Sequence, residues 1–106
     1  MCSASLPAVD RYIVIATQGR GDVAALQAAL KMAASYTAFV GSRLKFASYE
    51  DKLTAAGVSA AQIATVRSPA GVHINAVTPE EIALSIMAEI IQTRRTARQQ
   101  HAADDA

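Results

Sequence analysis

In "RYIVIATQGRGDVAALQAAL" an apolar run, two glycines and a helix-like run follow one another. That succession constrains the fold more than any other feature of the chain. "RYIVIAT" is rich in β-branched and aromatic residues and is apolar on both faces, the pattern of a parallel strand covered by helices on two sides. In "DVAALQAALKMAAS", Val23, Leu26, Leu30 and Ala33 recur at helical spacing. Asp22 stands where an acidic residue caps or favours a helix start. "YTAFVGS" is a second buried strand, closed by Gly41.

The pattern continues with helices. "SRLKFASYEDKLTAAG" reads as one helix with Phe46, Tyr49 and Leu53 as its stripe and Gly57 at the helix C′ position. "SAAQIATV" is a short helix whose Ser59 and Gln62 have capping-box spacing. "RSPAGVHINAV" is turn-rich, with room for one short strand. "TPEEIALSIMAEIIQTRRTAR" carries a full start signal: Thr78 as N-cap, Pro79 at N1, Glu81 at N3. Arg94, Arg95 and Arg98 stand at its C-terminal end, where the helix dipole favours cations. Residues 1–10 read as a flexible lead-in, and 99–106, "QQHAADDA", as a frayed tail. The expected order is β-α-β-α-α-(β)-α, with a parallel sheet. A complete doubly wound domain has about six strands. The fold class is therefore α/β, a partial (half) Rossmann-like parallel sheet with flanking helices.

With 106 residues the chain fits one small domain, and 11–98 reads as that domain. A net charge of +1 gives no reason to expect nucleic acid as a partner. No apolar run reaches the roughly 18–20 residues of a membrane span. "MCSASLPAVD" lacks the basic start and apolar core of a secretory signal. With Cys2 as the one cysteine, no disulfide forms within the chain. A cytoplasmic protein is expected.

Gly19, Gly21 and Ala24 match G-x-G-x-x-A between a strand and a helix, the context of a dinucleotide-binding turn. The second strand ends in Gly41, Ser42 and Arg43, and an arginine there suits the 2′-phosphate of NADP. Against this, the carboxylate of Asp22 would face a pyrophosphate, and Gln18 lengthens the loop. The other reading is a tight strand-to-helix turn in which Asp22 satisfies the orphan amides. Arg20, Arg43 and Lys45 all follow strand ends, the edge where open α/β sheets bind ligands. Three cations and two helix N-termini suit a phosphate; the alternative is surface pairing with Asp22 and nearby carboxylates. Glu80 and Glu81 fit capping better than acid–base work. His73 has no second histidine or cysteine at metal spacing, and Ser42 stands outside any G-x-S-x-G elbow.

The chain resembles the C-terminal part of the XdhC/CoxI family, maturation factors for molybdenum hydroxylases such as xanthine dehydrogenase and carbon monoxide dehydrogenase. The resemblance rests on "YIVIATQGRGD", "YTAFVGSRLK", "LTAAGVSAAQIATV" and "SPAGVHINAVTPEEIALSIMAEII", in that order, and covers about residues 11–95. It implies that "ATQGRGD" ends a later strand of the Rossmann-like domain, the family's own nucleotide-type loop lying upstream. The loop is then a look-alike that still lies on the ligand-facing edge. The family usually has P-I-G-L followed by D-I-G; here Pro69, Ala70, Gly71, Val72, His73, Ile74 and Asn75 stand in that place. The family's N-terminal domain, with its cysteine-bearing glycine motif, has no counterpart in this sequence.

What the resemblance implies is a non-catalytic accessory module in the maturation of a molybdenum-cofactor enzyme. Gly19, Arg20, Gly21, Gly41, Ser42, Arg43 and Lys45 would bind the molybdenum pterin cofactor or a nucleotide. Partners implied are a molybdenum hydroxylase, or a separate chain carrying the other half. The alternatives are an NADP-binding oxidoreductase fragment using Gly19, Gly21 and Arg43, and a ligand-free remnant that only assembles. A sheet this small leaves an apolar strand edge, and the final helix is apolar on more than one face from Ile82 to Ile91. Both surpluses predict a homodimer.

Overall fold

In the computed structural model, which describes residues 11–105 and side chains through Gln99, three strands form one parallel sheet in the order β1-β2-β3. They are β1 (Tyr12–Ile15), β2 (Tyr36–Phe39) and β3 (Val66–Arg67). Tyr12 pairs with Tyr36 and Ile15 with Phe39; Thr37 pairs with Val66. The α/β class and partial Rossmann-like sheet expected from the sequence are thus present. The lead-in over 1–10, with Cys2, lies outside the described residues.

Burial separates two strands that look alike in sequence. Every residue of β2 is buried. In β1 only Ile15 is, and Val14 is 41% exposed. The two-faced burial read into "RYIVIAT" therefore belongs to the central strand. Among the described residues β1 is an edge, with a covering layer on one side only.

The helices are shorter than the sequence suggests where the chain must turn back to the sheet. α1 (Asp22–Leu30) ends before Ala33. Its last turn tightens, with the N–H groups of Lys31 and Met32 reaching the carbonyls of Ala28 and Ala29. Ser35 then donates to the Arg11 carbonyl at 2.9 Å, aligning the start of β2 beside β1. The helix expected from Ser42 to Gly57 is two, α2 (Arg43–Ala47) and α3 (Glu50–Ala55). Ser48 is the break: its hydroxyl donates to the Lys45 carbonyl at 2.5 Å, competing with the helix ladder. The expected stripe survives, since Phe46 and Leu53 are buried and Tyr49 packs half-buried on the same cluster.

α3 ends as its glycine predicts. Gly57 has φ 95°, its N–H reaches the Thr54 carbonyl, and that of Val58 reaches Leu53. This is a Schellman ending, with Val58 packed against the core that contains Leu53. α4 (Ala60–Ala64) opens with the capping box read in the sequence: Gln62 N–H to Ser59 Oγ at 3.1 Å, Ser59 N–H to Gln62 Oε1 at 3.0 Å. The Gln62 side-chain nitrogen also donates to the Leu30 carbonyl at 3.1 Å, tying α4 to the end of α1. The short strand falls at Val66–Arg67, across the last residue of the expected helix stretch and the first of the turn-rich one. The core of this unit is Ile15, Leu26, Ala29, Phe39, Phe46, Leu53, Ile63 and Val66.

The chain divides after Ala70 into two units, inside the stretch 11–98 that reads as one domain in the sequence. The second unit holds a turn segment and α5 (Pro79–Asp105), which continues through the stretch read as a frayed tail. Its start is the one expected: Glu81 accepts from the N–H groups of Val77 (2.8 Å) and Thr78 (3.0 Å), and its own N–H reaches the Thr78 hydroxyl at 3.2 Å. These bonds hold the Glu81 carboxyl below its ordinary range, those from the Thr78 and Val77 backbones most. Gly71 has φ 99° and lies so close to α5 that a Cβ there would meet the Ser85 side chain. Its N–H donates to Glu89 at 2.8 Å.

Candidate functional site

Beyond β1 the backbone makes a left-handed excursion: φ is 54° at Gln18, 86° at Gly19 and 73° at Gly21. Glycine adopts such angles without a Cβ penalty. The Arg20 N–H closes the turn on the Thr17 carbonyl at 3.0 Å. Asp22 then folds its side chain back into the loop. It accepts hydrogen bonds from the Thr17 hydroxyl, from the Gly19 N–H at 3.0 Å and from the Tyr49 hydroxyl at 2.6 Å. Lys45 Nζ stands 3.8 Å away.

Asp22 is 3% exposed, so its charge needs these partners. The Thr17 hydroxyl first, then Tyr49, hold its carboxyl below the ordinary carboxylate value, with help from Gly19 N–H and the Lys45 charge; burial alone would raise it. The same bond to Asp22 pushes the Tyr49 phenol up. Tyr49 reaches the loop because its ring packs edge-on against Phe39, centroids 6.0 Å apart. Core and loop are thereby joined through one side chain.

Two expectations about Asp22 change. Gly21, not Asp22, is the N-cap of α1, and no side chain caps it. The carboxylate oxygens are engaged inside the loop, with Thr17, Gly19 and Tyr49, and do not cap the helix start. The amide Asp22 satisfies belongs to the loop, at Gly19. Space around Gly21 is open, with nothing within 4 Å of where a Cβ would stand.

The other expected site residues are placed as follows. A Cβ at Gly19 would lie 3.5 Å from Lys45 Nζ, so the first loop and the start of α2 meet there. Gly41 has a packing reason to be glycine, since a Cβ would stand 3.2 Å from Phe39 Cδ2. Ser42 caps α2, accepting from the Lys45 N–H at 3.0 Å. Arg20 and Arg43 are exposed, one between the two glycines and one at the first position of α2. Among the described residues Lys45, rather than either arginine, forms the ion pair with Asp22. Thr17 and Tyr49 were not singled out for this site by sequence reasoning. Tyr49 had a signal, a hydroxyl on an otherwise apolar stripe, which needs a polar partner; Thr17 had none. No group of three or more His, Cys, Asp or Glu side chains suited to a metal gathers among the described residues. A groove of about 800 Å³ opens elsewhere, near the start of β2 by Ser35, Tyr36, Gln62 and Arg67. It lies away from the carboxyl ends of β1 and β2, where sheets of this type bind ligands.

Parallel strands, each of the first two followed by a helix, with a glycine turn locked by a buried carboxylate at the strand ends, define a Rossmann-like domain. Residues 2–90 match the family model described as the XdhC Rossmann domain, and the chain belongs to that family. It is also 34% identical over 88 residues to a protein of Escherichia coli strain K12 named as the uncharacterized protein YqeB. That match covers 83% of this chain and 16% of the relative, so the chain spans about a sixth of the relative's length. No helix among the described residues is long and apolar enough to cross a membrane.

Proposed function

We propose that this chain is a non-enzymatic accessory module in the maturation of a molybdenum-cofactor enzyme, of the xanthine dehydrogenase or carbon monoxide dehydrogenase type. It would act by holding the phosphate end of the molybdenum pterin cofactor. Membership of the XdhC Rossmann family supports the process. The observation that carries the ligand class is the open start of α1 at Gly21, left without a side-chain cap while the Asp22 carboxylate is turned into the loop, with Lys45 Nζ 3.8 Å from it. Unpaired first-turn amides and a positive dipole end suit an anion. Arg20 and Arg43 add exposed positive charge on the two neighbouring strand-end segments. The cofactor supplies the redox chemistry of its metal to the target enzyme; this chain's residues bind and orient the phosphate. A nucleotide phosphate is the second reading, since Gly19 and Gly21 hold a left-handed turn between a strand and a helix, the setting of a nucleotide-binding loop.

Calorimetric titration of the purified chain with a pterin phosphate, NADP and inorganic phosphate tests both. The pterin phosphate is expected to bind best, and Arg43→Ala to weaken it about tenfold or more through loss of a charge-assisted contact. Preference for NADP would favour the second reading. No binding of any of the three, or equal affinities in parent and variant, would refute the site. A rise in cofactor loading of an apo molybdenum hydroxylase on adding the chain tests the maturation role.

A further inference from the structure

α5 carries an exposed apolar seam with charged ends of opposite sign. Leu84, Met87 and Ile91 are 64%, 53% and 45% exposed. Their spacing of three and four residues is that of alternating seam positions in a coiled coil. Ile86, inside the run that reads in sequence as an apolar surplus, is instead 8% exposed and does not belong to the seam. Glu80 precedes Leu84 by four residues, and Arg94 follows Ile91 by three; both are exposed. At about 100° per residue, all five fall within roughly 80° of arc on the helix. Glu81 is engaged in the helix cap, which leaves Glu80 as the acid of this stripe.

Read from Met87 outward, the stripe is self-complementary. Seven residues before it stands a carboxylate and seven after it a guanidinium. We infer that α5 pairs antiparallel with α5 of a second copy of this chain, about a two-fold axis near Met87. That arrangement sets Met87 against Met87, Leu84 against the partner's Ile91, and Glu80 against the partner's Arg94, twice over by symmetry. A parallel pair would set Glu80 against Glu80 and Arg94 against Arg94, so the charge pattern selects the antiparallel sense. It also selects the occupant: an apolar stripe alone fits many surfaces, whereas this sign reversal matches the same stripe turned end for end.

Sedimentation velocity over a concentration series tests this, with circular dichroism to establish that every variant is folded. The parent is expected to dimerise, and Met87→Lys to leave a monomer with unchanged helix content. Glu80→Arg and Arg94→Glu alone should each weaken association about tenfold or more, by placing like charges opposite each other. Mixed in equal amounts, these two variants should form a heterodimer of about parental affinity, because each then meets an opposite charge. A parent that stays monomeric overturns the proposal, as does a dimer indifferent to both charge changes. Two folded variants that fail to associate on mixing overturn it equally.

Discussion

Tyr49 and Asp22, 27 residues apart in sequence, meet through a 2.6 Å hydrogen bond in which the phenol donates to the carboxylate. The bond ties the segment after β2 to the loop after β1, and the carboxylate it reaches is almost wholly shielded from water. The candidate site thus has its rigidity built from one strand-end segment onto the next.

Removing that donor should therefore loosen the loop without emptying the core. Tyr49→Phe keeps the edge-on contact with Phe39 and deletes only the hydroxyl. A clear loss of stability is expected, because the deleted hydroxyl donates to a charged group. Urea unfolding measures it. A variant as stable as the parent would show that the bond contributes nothing net.

Acid should weaken the fold through the same carboxylate. Asp22 is held below its ordinary value of 3.8, and Glu81 below 4.5. The unfolded chain therefore takes up these protons more readily than the folded one. The stabilisation is complete above the ordinary values and is lost as pH falls through the lower folded-state values. Urea midpoints should hold between about pH 7 and 5 and fall below about 4. Asp22→Asn should flatten part of that decline at the expense of stability near neutrality. Tyr49 has the opposite sign: its phenol is raised above 10.0, so its contribution is present below that value and lost at higher pH.

Two glycines with left-handed backbones should respond differently to alanine. At Gly57 nothing stands within 4 Å of a new Cβ, so Gly57→Ala pays only backbone strain, about 1–2 kcal/mol. At Gly71 a Cβ would stand 3.0 Å from Ser85 Cβ and 3.1 Å from the Ile86 nitrogen, with the Ser85 hydroxyl closer still. Gly71→Ala should cost clearly more than Gly57→Ala, and Ser85→Gly should recover part of the difference. Equal melting temperatures for the two alanine variants would contradict this.

Local signals in the sequence were legible where the chemistry is local. The Ser59–Gln62 box, the Thr78–Glu81 start and the Gly57 ending each involve residues a few positions apart, and each is present. Signals failed where distant parts decide. "RYIVIAT" and "YTAFVGS" are both runs of β-branched, aromatic and small residues, and their places in the sheet make one an edge and the other central. Ser48 breaks a helix whose apolar stripe continues across it. Asp22 looks like a cap because it follows a glycine at a helix start, yet its oxygens go to Thr17, Gly19, Tyr49 and Lys45. Two of those four lie beyond β2, out of reach of any rule about helix starts.

Gln62 shows how far a short-range rule can carry. Its oxygen serves the start of α4 and its nitrogen serves the last carbonyl of α1, at Leu30. Glutamate completes a capping box as well as glutamine does, but it has no hydrogen to give Leu30, and its charge would meet the negative end of the first helix. The choice between two residues that capping ranks alike is thus made by a helix 32 positions upstream. One amide group, read in a single orientation, keys the connection between the two helices.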